Sequence, residues 1–157
     1  IAHHSVIFQP EKRLMWVSTS PWQCGKYVTY DLNKIFKDTI DWQHEIYSSD
    51  LTIPEDKFID APEFQHLLTY KKLTPLLLKK IRKKEKIEES VLKTYQASNP
   101  SLYYVYEVIG DYYEAMQQSK QAIAYWQQAL KKSIPKLQEK ERIQQKIQKQ
   151  SKDGKES

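Results

Sequence analysis

The side chains that most invite chemistry in this 157-residue sequence are His3-His4-Ser5 and Cys24. A metal site wants three or four ligands converging on one point, and adjacent histidines in an extended strand project to opposite faces. The pair is therefore a poor start for a metal centre. A histidine base for Ser5 or Cys24 needs an orienting partner, and no motif supplies one. His44 and His66 lie in polar, helix-like surroundings without a motif. Cys24 stands in a loop beside Trp22 and Gly25 with no neighbouring base, the setting of an unreactive, half-buried thiol. As the sole cysteine it also excludes an internal disulfide framework and a cysteine-rich zinc site. The three glycines, Gly25, Gly110 and Gly154, are too dispersed for either Gly-rich phosphate loop, which excludes nucleotide enzymes built on those loops. The sequence thus assigns no catalytic, metal-binding or cofactor-binding residue, and no cofactor is expected.

Charge divides the chain. Residues 1–60 hold six Lys/Arg and nine Asp/Glu, net −3; the other 19 basic and 11 acidic residues give 61–157 a net of +8. The densest basic run is Lys79-Lys80-Ile81-Arg82-Lys83-Lys84-Glu85-Lys86. Glu85, Glu88 and Glu89 interrupt it and the apolar spacing is that of an amphipathic helix, so it reads as a solvated helix face and no nucleic-acid partner is expected. No apolar run approaches the roughly 18 residues of a membrane span.

The elements that would have to position any site fall into two kinds. Ser5–Phe8 and Arg13–Ser18 are short apolar, β-branched and aromatic runs joined by Gln9-Pro10-Glu11-Lys12, a hairpin pattern. Ser20-Pro21-Trp22-Gln23-Cys24-Gly25 is a loop, Lys26–Tyr30 a further strand, and Asp31 the N-cap of a short helix over Leu32–Phe36. Because both hairpin strands are apolar on each face, they are expected to belong to a larger sheet completed by sequence outside this chain. Residues 46–61 form an irregular acidic connector. From Asp60 the pattern is helical: Asp60-Ala61-Pro62-Glu63 is a start signal with Asp60 as cap, Pro75 marks a kink or a break with Thr74 as a fresh cap, and a run from Leu76 to Ala97 stops at Ser98-Asn99-Pro100.

Beyond Pro100, Tyr106, Ile109, Gly110, Tyr113, Ala122, Trp126 and Ala129 follow at offsets of 3, 1, 3, 9, 4 and 3. This spacing resembles the tetratricopeptide repeat over Leu102 to about Pro135, with Pro135 one position late. Gly110 and Ala122 are small where two helices would cross, with Tyr106, Tyr113 and Trp126 filling the space around them. A preceding copy is degenerate, since Leu76 replaces the glycine and Tyr95 an alanine. Ile134, Leu137, Ile143 and Ile147, set among Gln and Lys, make a polar capping helix. The fold class is therefore α+β, a short N-terminal β-hairpin or sheet fragment followed by a mainly α-helical, tetratricopeptide-like array. Residues 1–50 are the β-rich segment, 51–60 a connector, 61–150 the helical region and 151–157 a disordered tail.

The run Ala2-His3-His4-Ser5-Val6-Ile7-Phe8, with Met15-Trp16-Val17-Ser18, Pro21-Trp22-Gln23, Gly25-Lys26-Tyr27 and Tyr30-Asp31-Leu32, resembles the late part of penicillin acyltransferase-like N-terminal-nucleophile amidohydrolases, related to choloylglycine hydrolases. The resemblance covers 2–36 and, loosely, the helical tail. It implies a self-cleaving precursor whose new N-terminal cysteine attacks an amide, with its own α-amino group as base. None of that machinery maps onto this chain, which starts at Ile1. The chain is accordingly expected to be an inactive C-terminal fragment of an amide hydrolase or acyltransferase, its tail serving packing or protein interaction; the alternative is a non-enzymatic helical-repeat interaction module. The expected partner is the upstream catalytic part, with a protein or peptide ligand on the tail and a homodimer through exposed strand edges as further options. The resemblance implies an exported bacterial parent, although no export signal stands in this chain.

Overall fold

The computed structural model describes residues 4–37 and 46–153, and the chain divides into two compact units, Ile1–Phe64 and Gln65–Ser157. The architecture is α+β: three antiparallel strands precede a succession of helices.

In the first unit, strand β1 (Val6–Gln9) and β2 (Leu14–Ser18) form the expected hairpin, with Val6 opposite Val17 and Gln9 opposite Leu14. Pro10 opens a 3-10 turn, Pro10–Lys12, which Arg13 closes at φ 55 with its N–H donating to Pro10 O. Strand β3 (Tyr27–Asp31) adds to the other side of β2, giving the order β1-β2-β3. The β2–β3 loop holds a cis Ser20–Pro21 bond. A Cβ at Gly25 would stand 2.5 Å from the backbone oxygens of both Thr19 and Ser20, so only glycine fits that approach. Helix α1 (Leu32–Ile35) starts where Asp31 Oδ1 accepts from Asn33 N at 2.9 Å, the cap expected from sequence.

The segment expected to be an irregular connector has more order than its composition suggests. Ser48 N donates to Thr29 O at 2.8 Å, and Tyr27 and Ile53 exchange both backbone bonds, at 3.0 and 3.1 Å. Residues 47–53 thereby occupy the outer edge of β3. Trp16 Nε1 donates to Leu51 O at 3.0 Å, fastening the same segment across one sheet face. Phe64, 2% exposed, packs edge-on to Trp22 and Phe58.

Helix α2 (Pro62–Arg82) begins with Pro62 in its first turn, but Ala61, not Asp60, immediately precedes it; Asp60 ends a 3-10 turn, Lys57–Asp60. The helix passes through Pro75 without a break. Thr74 caps nothing: its hydroxyl donates back to Tyr70 O at 2.7 Å and lies 3.1 Å from the Tyr95 hydroxyl. The run expected to continue to Ala97 is instead two helices, because α2 ends at Arg82 and α3 spans Glu89–Ser98. Like charges three and four residues apart among Lys79, Lys80, Arg82, Lys83 and Lys84 work against helix extension, and Lys84 turns the chain at φ 53. Ile87 then drops into the core, where its N–H donates to the Tyr112 hydroxyl (3.3 Å), and that hydroxyl lies 3.2 Å from Ile87 O.

Helices α4 (Tyr103–Ala115) and α5 (Ser119–Leu130) form the tightest crossing. Gly110 faces the indole of Trp126 so closely that an added Cβ would collide with Cδ1 and Nε1. Ile109, Ala122, Trp126 and Ala129 are fully buried there, and Tyr113 stacks on Tyr125 at the rim. Helix α6 (Leu137–Asp153) adds Ile143 to the core, with Ile134 and Ile147 packed against it, while Leu137 points to solvent. The helix reaches into the expected disordered tail; residues 154–157 lie outside the described residues.

Candidate functional site: an open strand edge and a charged helix seam

Of the residues that sequence chemistry singled out, His3 and His44 lie outside the described residues, His4 and His66 are exposed, and Cys24 is half-buried in the turn after Pro21. Among the described residues no group of three His, Cys, Asp or Glu could hold a metal ion. The Ser5 hydroxyl pairs with Tyr27 Oη, and its N–H donates to Ser18 Oγ at 2.8 Å. The basic run around Lys83 includes an exposed ion pair between Lys83 and Glu85 at 3.8 Å.

In the first unit the notable surface is β1. Ser18 N donates to Ser5 O at 3.0 Å, and Val6 faces Val17, Ile7 Trp16 and Phe8 Met15. An antiparallel ladder alternates bonded and non-bonded pairs. Ser5, Ile7 and Gln9 therefore bond inward to β2, and the backbone N–H and C=O of Val6 and Phe8 turn outward. Among the described residues no strand lies on that edge. The pleat sets Val6 and Phe8 on the same face as Met15, Val17, Val28 and Tyr30, a wholly apolar block. Val6 is 44% exposed, Phe8 62%, and Ile7, on the opposite face, 44%. That opposite face holds Trp16 and the fully buried Thr29, whose hydroxyl finds no partner among the described residues. An unsatisfied buried hydroxyl costs about 1–3 kcal/mol. Thr29→Val, of the same shape, is expected to raise the urea midpoint, by about 1 kcal/mol of stability.

In the second unit, α4 and α6 are joined by a seam of opposite charges. Glu107, 2% exposed, receives Arg142 in a fork, Nε at 3.0 Å and Nη2 at 2.9 Å, and Lys146 Nζ at 2.9 Å. Lys146 Nζ also reaches both Asp111 oxygens, at 2.7 and 2.9 Å, and Trp126 Nε1 donates to Asp111 Oδ1 at 3.0 Å. Tyr103 donates to Glu139 at one end; at the other, Gln150 Nε2 donates to Glu114 Oε1 at 3.1 Å. The spacing explains the zip: 107, 111 and 114 share one face of α4, and 142, 146 and 150 share one face of α6. A cavity of about 460 Å³ beside the seam is lined by Ile81, Lys84, Asp111, Glu114, Gln117 and Lys146 among others. The acids at i, i+4 and i+7 and the matching Arg142 and Lys146 stand in the sequence, but pairing them requires α6 to be placed on α4.

Burial pushes the Asp111 carboxyl above its ordinary value, against the pull of Lys146. Burial works against the Lys146 ammonium, yet Asp111 and Glu107 outweigh it and raise its pKa. Tyr103 is pushed up to about 12 by burial and by Glu139, and Tyr95 is raised by burial. Raised folded values for Lys and Tyr contribute stability that is complete below the unfolded values and lost as pH climbs through the folded ones. Urea midpoints are therefore expected to hold up to about pH 10 and to fall from there to pH 12, and Tyr103→Phe should flatten that fall.

Comparison with protein-family models, curated proteins and solved structures finds no match.

Proposed function

We propose that this chain is the C-terminal portion of an amide hydrolase or acyltransferase of the N-terminal-nucleophile type, in which the first unit completes the catalytic sheet and the second serves as a tetratricopeptide-like packing and interaction arm. The observation that carries the reading is a coincidence of position. The residues of the resemblance, Val6–Phe8, Met15–Ser18 and Tyr27 with Tyr30–Asp31, lie on one sheet, and that sheet presents an apolar face and an open strand edge. Apolar side chains on both faces of one strand fit a strand buried on both sides in a larger domain. No catalytic residue is assigned to the chain; the nucleophilic cysteine and its α-amino base would belong to the upstream part.

The test is expression of the longer open reading frame that contains this chain. Intact-mass measurement should find self-cleavage that exposes an N-terminal cysteine, and an acylated chromogenic amine should be hydrolysed with loss of activity on substituting that cysteine by alanine. A frame without such a cysteine, or a cleaved protein inert toward amides, would sink the reading. The non-enzymatic alternative draws on the α4–α5 crossing, where Gly110 meets Trp126, and Tyr106, Ala122 and Ala129 are buried in the same core, the residue types a helical repeat would use.

A further inference from the structure

We propose that the outer edge of β1 receives one further β-strand from the catalytic part of the same protein, so that β1 is an interior strand and the sheet continues in that direction only. This rests on the amidohydrolase reading above and adds to it the site of junction and its direction.

The two edges of the sheet differ. Along β3, Tyr27 exchanges both backbone bonds with Ile53, and Thr29 O accepts from Ser48 N, so residues 48–53 already lie along that edge. Along β1, the outward N–H and C=O of Val6 and Phe8 have no strand beside them among the described residues. Strands that end a sheet in solvent are usually protected by a charge, a proline, a bulge or sheer shortness. Val6-Ile7-Phe8-Gln9 is short, but it carries no charge, proline or bulge, and its pairing with β2 is regular from Val6 to Gln9. The exposed side chains fall on both faces, Val6 and Phe8 on one and Ile7 on the other, which a strand covered only at its face would not need.

The size of the edge selects the occupant. A second copy joined β1 to β1 would contribute four residues a side, whereas stable interfaces engage roughly 20–30 residues a side. A four-residue edge gives too little area to hold two separate molecules together. It suffices for a strand already tethered within the same folded domain, for which pairing carries little extra ordering cost. The strand's chemistry follows from the edge: an extended backbone pairing with Val6 and Phe8, with apolar side chains continuing the block of Val6, Phe8, Met15, Val17, Val28 and Tyr30.

Residue-resolved amide exchange on the 157-residue chain and on the longer protein tests this. The Val6 and Phe8 amides are expected to exchange freely in the short chain and about 100-fold more slowly, or slower still, in the longer protein. Phe8→Lys should leave the melting temperature of the short chain unchanged and lower that of the longer protein. Val6 and Phe8 amides that stay fast in a longer protein that self-cleaves and hydrolyses amides would overturn the strand while the amidohydrolase reading stood. Slow amides in a longer protein without a nucleophile would support the strand and sink that reading. Slow amides in the short chain together with a dimer by sedimentation would give the edge to a second copy and overturn the proposal.

Discussion

Gly110→Ala is expected to destabilise the helical unit by about 2 kcal/mol, the cost of overpacking a close helix crossing. The sign is informative, because replacing glycine by alanine inside a helix ordinarily gains about 1 kcal/mol from propensity. Here the added Cβ would stand on the five-membered ring of Trp126, and that indole has nowhere to retreat. It is fully buried and anchored by Nε1 to Asp111, which is itself held by Lys146. Chemical denaturation should show the loss as a lower midpoint at unchanged slope. A second background isolates the cause. Trp126→Leu costs several kcal/mol by itself, as large-to-small core changes do, but it vacates the space over Gly110. In that background Gly110→Ala should become neutral or stabilising, a coupling of about 2 kcal/mol between two contacting positions. Equal losses in both backgrounds would mean that the crossing does not set the requirement for glycine.

This crossing was legible from sequence because its signal is local. The period of the apolar residues, the small residue at 110 and the aromatic at 126 belong to two helices joined by a short turn. The hairpin was legible for the same reason, with Pro10 and two β-branched, aromatic runs only a few residues apart. What sequence did not reveal depends on distance. Residues 46–60 are polar and acidic, and only their pairing with Tyr27 and Thr29, some twenty residues upstream, gives them order. Breaking the Leu76–Ala97 run at 83–88 needed the balance between helix propensity and clustered positive charge, along with the burial of Ile87 against Tyr112. Pro75 signals a kink or a break in the sequence, and the helix continues through it, with Thr74 bonded back to Tyr70 O and Tyr70 stacked on Tyr95. The charged seam was hidden for a different reason. Net charge and composition record Glu107, Asp111, Arg142 and Lys146 as four solvated groups, and only the placement of α6 on α4 takes Glu107 out of water.

That seam leads to the second large expected effect: Lys146→Met is expected to cost the helical unit about 3 kcal/mol or more, the usual penalty for breaking a buried ion pair. Lys146 is the shared cation. Its removal leaves Asp111 with Trp126 Nε1 and Glu107 with Arg142, whose side chain is half in water and can swing away. Glu107 cannot follow it, because its carboxylate is buried at the helix interface. The loss should persist in 1 M salt, which screens exposed pairs far more than buried ones; the solvated Glu89–Lys93 pair on α3 serves as the control, with Lys93→Met expected to leave the denaturation midpoint essentially unchanged. A double change then separates pairing from packing. Glu107→Leu together with Lys146→Met removes the stranded charge with its partner and replaces polar volume by apolar volume. Such replacements are often neutral or stabilising, so the double variant should recover most of the stability that Lys146→Met alone loses. If it recovers, the seam sets how α6 registers on α4 more than how strongly it binds. If the double variant is instead less stable than the single, the ion pair holds α6 in place by its own energy.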